Sequence, residues 1–150
     1  MRKVSNILET KDEALHSIEP TAMVIDALME LISVNLSYLI VYDNGAYVGI
    51  FSERDYTRKL VLEGRSSRDT MVKDAMTTEL PQVELATTVE DCMYLMNSRG
   101  SRYLAAFNDN KFIGIITIHD LLREALASKE DVFNDASSQL LNTDESGKFF

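Results

Sequence analysis

Two carboxylates each stand three residues after a hydroxyl, in the same local setting. Ser52-Glu53-Arg54-Asp55 follows Tyr47-Val48-Gly49-Ile50-Phe51, and Thr117-Ile118-His119-Asp120 follows Phe112-Ile113-Gly114-Ile115-Ile116. In both, an apolar run broken by one glycine has strand character. The Ser/Thr-x-x-Asp then reads as a helix N-cap with the acidic arm of a capping box. A helix start presents unpaired N–H groups and the positive end of the helix dipole, which suits phosphate. A carboxylate placed there offers two oxygens that can instead accept the paired hydroxyls of a ribose. Ser52 with Asp55, and Thr117 with Asp120, are therefore candidates for the polar half of a nucleotide site. The plain alternative is that each pair only caps its helix, a common local device. The doubling weighs against it, because Gly49 to Gly114 and Asp55 to Asp120 are both separations of 65 residues.

That register holds along the chain. A shift of 65 pairs Val24 with Val89, Asp26 with Asp91, Ser33 with Ser98, Tyr38 with Tyr103 and Leu39 with Leu104. Leu28/Met93, Leu31/Met96, Tyr42/Phe107 and Phe51/Ile116 fall in the same gapless frame. A repeat of this length means two copies of one supersecondary unit that bury a shared face.

Each copy must supply a strand and a helix start to hold its carboxylate. His16-Ser17-Ile18 reads as a very short strand, followed by a helix from Pro20-Thr21 to about Asn35 with Ala22, Ile25, Leu28, Met29 and Ile32 as its apolar stripe. Tyr38 to Tyr42 and Tyr47 to Phe51 read as a hairpin around Asp43-Asn44-Gly45, and the helix after Ser52 turns Tyr56, Leu60 and Val61 inward. The second copy repeats this with Gln82-Val83-Glu84, a helix over Val89 to Arg99 capped by Thr88, and a hairpin turning at Asn108-Asp109-Asn110. Val72-Lys73-Asp74-Ala75-Met76 and Val4 to Leu8 are matching apolar leads. The expected division is a first unit at 1–64, a polar linker at 65–71, a second unit at 72–128 and an acidic tail at 129–150. The expected fold class is α/β (α+β), with two β-α-β-β-α units packed as a pseudo-two-fold pair.

Composition excludes several functions. The chain has 150 residues, 45% of them hydrophobic and 26% charged, enough for a compact body with a core. A formal net charge of -9 disfavours nucleic acid, which needs phosphate-neutralising basic surface. No apolar run approaches the roughly 20 residues of a membrane span. Met1-Arg2-Lys3-Val4 lacks the apolar core of a secretory signal. A single cysteine, Cys92, forbids an internal disulfide and points to a reducing, cytoplasmic setting. Cys92 aligns with Ala27 inside a helix and reads as a small buried hydrophobe. No metal cluster, nucleophile–base pair or P-loop is visible.

The tandem β-α-β-β-α with Gly-apolar-apolar-Ser/Thr-x-x-Asp closing each copy resembles a pair of cystathionine-β-synthase (CBS) domains. Val72-x-Asp74-x-Met76 fits the same pattern, and the resemblance covers about Val4 to Ala127. It is nearest to small proteins of two CBS domains, which share Ser52-Glu53-Arg54-Asp55-Tyr56 and Arg65-Ser66-Ser67. The resemblance implies an adenosine-containing ligand (AMP, ADP, ATP, NAD(H) or S-adenosylmethionine) in the clefts between the copies. It implies ribose contacts by Asp55 and Asp120, beside Ser52 and Thr117. It further implies base contacts from Ser17 and Ile18 with Ser37 and Tyr38, and from Gln82 and Val83 with Arg102 and Tyr103. Tyr38 stands where small residues are usual, so it either stacks on a base or plugs the site. Arg102 has Ser37 as its counterpart, so the two sites are expected to differ.

Basic residues are few. Arg54 and His119 fall in the first turn of the capped helices, and Lys11, Arg68 and Arg102 are further phosphate candidates, each with solvated surface charge as the plain alternative. Tyr38 and Tyr103 could equally be core aromatics. The reading is a regulatory, energy-sensing module for signal transduction, not an enzyme, that binds an adenine nucleotide and signals to a regulated enzyme or transporter. The alternative is a scaffolding dimerisation protein with degenerate, empty sites. Apolar helices bearing Met23, Met29, Met93 and Met96 point to a homodimer.

Overall fold

A computed structural model of the protein describes residues 2–11 and 15–127. The acidic segment 129–150 and part of the connection after Thr10 lie outside the described residues. Elements follow the repeat: α1 (Val4–Thr10), β1 (Ser17–Ile18), α2 (Val24–Val34), β2 (Tyr38–Asp43), β3 (Ala46–Ser52) and α3 (Glu53–Tyr56), which runs on through a π-helical turn at Thr57–Val61. A short 3-10 turn at Val72–Asp74 opens the second copy, followed by β4 (Gln82–Glu84), α4 (Val89–Arg99), β5 (Tyr103–Asn108) and β6 (Lys111–Thr117). Among the described residues a last helix, α5, covers 118–127. The fold is mixed α and β with two three-stranded sheets, ordered β1-β2-β3 and β4-β5-β6. In each, the first pair is parallel and the hairpin antiparallel.

The copies agree in small details. Both hairpins turn on two left-handed residues, Asn44 and Gly45 at φ 51° and 82°, Asp109 and Asn110 at φ 49° and 63°. That is the turn whose twist suits an antiparallel ribbon. Both slip register at the same place, between Val41 and Tyr42 and between Ala106 and Phe107. Asn35 and Gly100, each left-handed, end α2 and α4.

The compact units are not the two halves of the sequence. One is built from Lys11–Pro81, the other from the residues up to Thr10 together with those from Gln82 onward. In the first, the Val72 N–H donates to the Ala22 carbonyl at 2.8 Å and the Val24 N–H to that of Thr70 at 2.8 Å. In the second, the Val4 N–H donates to Thr87 at 2.9 Å and the Val89 N–H to Arg2 at 3.0 Å. Val72 and Val4 thus hold equivalent places. Val72 and Ala75 enter the core of Val24, Ala27, Leu31, Leu39 and Phe51. Val4 and Ile7 enter that of Val89, Cys92, Met96, Leu104 and Ile116. Burial therefore groups each lead segment with the other copy of the repeat.

Two expectations are corrected. α2 begins at Val24, after Met23, without a side-chain cap, and buries Val24, Ala27 and Leu31, leaving Met29 and Ile32 62% and 81% exposed. The helix is apolar around most of its circumference, so more than one stripe satisfies helical spacing. Among the methionines, Met96 is buried and Met93 packs partly on the core. After Ser52, Leu60 is fully buried but Val61 is half exposed. The π turn inserts an extra residue into the helical ladder and so rotates the residues beyond it about the helix axis.

Candidate functional site

β3 delivers Ser52 to the start of α3 as a reciprocal cap. The Asp55 N–H donates to Ser52 Oγ at 3.2 Å, while the Ser52 N–H and hydroxyl donate to Asp55 Oδ2 at 2.9 and 3.1 Å. Both side chains are buried. The other oxygen, Oδ1, accepts the Thr77 hydroxyl at 2.7 Å and pairs with the Lys59 ammonium at 3.1 Å. Tyr38 lies opposite Ser52 across the hairpin, and the Glu53 N–H donates to the Ser37 carbonyl at 3.0 Å. Ser17 is paired with Ile40, two residues along β2 from Tyr38, whereas Ile18 is paired with Val41 in mid-strand and packs on the core, so Ser17 stands nearer than Ile18 to the end that carries Tyr38, Ser52 and Asp55. Tyr38 is buried, and the Lys11 ammonium sits 5.8 Å from its ring centroid, within cation–π range. Arg54 is half-buried on α3.

The second junction repeats the cap. The Thr117 N–H donates to Asp120 Oδ2 at 2.8 Å and the Asp120 N–H donates to Thr117 Oγ1 at 3.2 Å. Arg123, one turn on, places Nη2 3.5 Å from Asp120 Oδ1. Tyr103 lies opposite Thr117, and the Ile118 N–H donates to the Arg102 carbonyl at 3.0 Å. Arg102 and His119 are exposed and Tyr103 is half-buried. Val83 is buried in the core, so its backbone is what it can offer a ligand.

Three residues at these junctions escaped the sequence reading: Thr77, Lys59 and Arg123. Lys59 and Arg123 were within reach, standing four and three positions after their carboxylates, where helical side chains meet. Thr77 was not, because it reaches Asp55 from a segment 22 residues further along the chain. Among the described residues no group of three or more His, Cys, Asp or Glu could hold a metal ion, and no helix is long and apolar enough to cross a membrane.

A family model, the CBS domain, matches residues 4–62 and again 72–127. The chain belongs to the CBS-domain family. It is 38% identical over 105 residues to the CBS domain-containing protein CBSX3 of Arabidopsis thaliana, named as mitochondrial, with 67% of this chain and 51% of that one matched. The chain thus spans about half the length of that relative. A structure from Burkholderia ambifaria, described as a candidate signal-transduction protein with CBS domains, superposes with a TM-score of 0.79 at 34% identity, covering 83% of this chain and 94% of that one. CBSX2, solved in complex with AMP, superposes with a TM-score of 0.69 at 29% identity, covering 86% and 99%. CBS-domain pairs are regulatory, and proteins consisting of them are generally not catalytic.

Proposed function

We propose that this CBS pair is a sensor that binds an adenosine-containing nucleotide at its Ser/Thr-x-x-Asp junctions and signals occupancy to a partner protein. The observation that carries the reading is a buried carboxylate at a helix start, present twice in one register, with an aromatic residue opposite each cap. AMP in the CBSX2 structure supports the ligand class, and AMP, ATP and NAD are its members to try first. In this reading Asp55 and Asp120 take ribose hydroxyls. Ser17, Ile18, Val83, Tyr38 and Tyr103 flank the base, and Arg54, Lys11, Arg102 and His119 serve phosphate. The partner would be an enzyme or transporter whose activity the module adjusts. Met29 and Ile32, exposed on α2, support a homodimer, and the lone buried Cys92 fits a reducing compartment such as the cytoplasm.

Thermal melting with nucleotides tests this. AMP, ATP or NAD should raise the melting temperature while GMP does not, since a ligand that binds only the folded state at 100 times its Kd adds about 2.7 kcal/mol. Asp55→Ala with Asp120→Ala should remove the rise, at an apo cost of about 1 kcal/mol per lost cap. An undiminished rise in the double variant rejects the ribose assignment. No rise with any adenine nucleotide favours the scaffolding alternative.

A further inference from the structure

The carboxylate of Asp55 is already full. A carboxylate has about four lone-pair sites. Two, on Oδ2, take the Ser52 N–H and hydroxyl; two, on Oδ1, take the Thr77 hydroxyl and the Lys59 ammonium. These last donors are held from behind. The Thr77 N–H donates to the Ile50 carbonyl at 2.8 Å and the Ile50 N–H to that of Thr77 at 3.0 Å, a bridge that fixes the threonine backbone on β3. Lys59 also donates to the Met76 carbonyl at 3.0 Å and lies 3.5 Å from Thr77 Oγ1.

The other copy is built differently. With Val72 and Val4 in equivalent places, the counterpart of Thr77 is Glu9, which lies exposed on α1. The counterpart of Lys59 in the 65-residue register is Glu124, whose carboxylate pairs with Arg2 at 2.6 Å. A carboxylate at these places cannot donate as Thr77 and Lys59 do, and Asp120 Oδ1 has Arg123 Nη2 at 3.5 Å instead.

We propose that Thr77 and Lys59 are specificity-determining residues that keep the ribose off Asp55, so that a nucleotide takes the first junction only by displacing them. The proposal rests on the nucleotide reading above.

The test uses the full chain carrying Asp120→Ala, which leaves the first junction alone, titrated calorimetrically with AMP and with 2′-deoxy-AMP. Adding Thr77→Val and Lys59→Met vacates Oδ1 while keeping side-chain bulk, and melting and circular dichroism establish that each variant is folded. AMP affinity relative to 2′-deoxy-AMP should rise about tenfold, the scale of one recovered charge-assisted bond. The ratio cancels any phosphate attraction lost with the lysine. Asp55→Ala in the same background should abolish the gain. An unchanged or lowered ratio overturns the proposal and makes Thr77 and Lys59 supports that aim Asp55 at its ligand. If AMP binds neither these variants nor the unsubstituted chain, the nucleotide reading itself has failed, and this proposal with it.

Discussion

Cys92 is fully buried on α4, and burial, with the charge of Asp91 second, pushes its thiol from an ordinary 9.0 up to about 11. A thiol raised in this way keeps its proton in the native state at a pH where the unfolded chain has released it. Folding stability should therefore fall between pH 9 and about 11, with no contribution from this group below that window. The loss is at most about 3 kcal/mol, at 1.36 kcal/mol per pH unit. Tyr47, pushed to about 12 by burial and by Tyr42, adds a loss at still higher pH. Comparing urea unfolding of the native chain with Cys92→Ala across pH 8 to 11 isolates the thiol, since the tyrosines are common to both. Equal slopes would mean the thiol reaches solvent in the folded protein. The burial of Cys92 was legible because Ala27 stands at the same place in the repeat. The crowding of Asp55 was not, because composition and spacing say nothing about what Thr77 will touch.

At the scale of the elements, the two hairpins differ at one atom that neither has. A side chain on Gly49 would drive its Cβ into the backbone carbonyl of Thr77, whereas one on Gly114 would meet only the end of the Leu8 side chain, at 3.4 Å. Both glycines have the same unusual φ, 157° and 158°, so backbone strain is shared and the neighbour decides. Gly49→Ala should lower stability by about 2 kcal/mol more than Gly114→Ala, the range of forced overpacking. It should also speed amide exchange at Thr77, read by hydrogen-exchange mass spectrometry. Equal losses and unchanged exchange would mean that the Thr77 segment moves aside freely. The sequence revealed α4 fully, from its Thr88 cap to Arg99 before Gly100, because chemistry at both ends marks the boundaries. It misplaced the buried face of α2, where apolar residues crowd several sides. The π turn at Thr57–Val61 carried no residue signal such as Gly or Pro.

For the whole molecule, the prediction concerns association. Met29 and Ile32 stay 62% and 81% exposed although neighbouring residues of α2 are buried, which leaves apolar surface of the kind that interfaces cover. Light scattering at micromolar concentration should give a dimer, and Met29→Glu with Ile32→Glu should shift it to monomer without loss of helical signal. A native chain that is already monomeric rejects the homodimer. The doubled architecture was readable from self-similarity alone. Which lead segment joins which core was not, because a pattern of apolar residues carries no record of long-range pairing. That pairing also orders events in time. The parts of the Lys11–Pro81 unit are all made once Pro81 has left the ribosome. Helix α1 is synthesised before any of them, yet the backbone it bonds to, at Leu85 and Thr87, comes after. At roughly 5–20 residues per second, Val4, Ile7 and Leu8 wait in solvent for several seconds with their apolar face unmatched. Helix α1 is made before its partners and housed only after them.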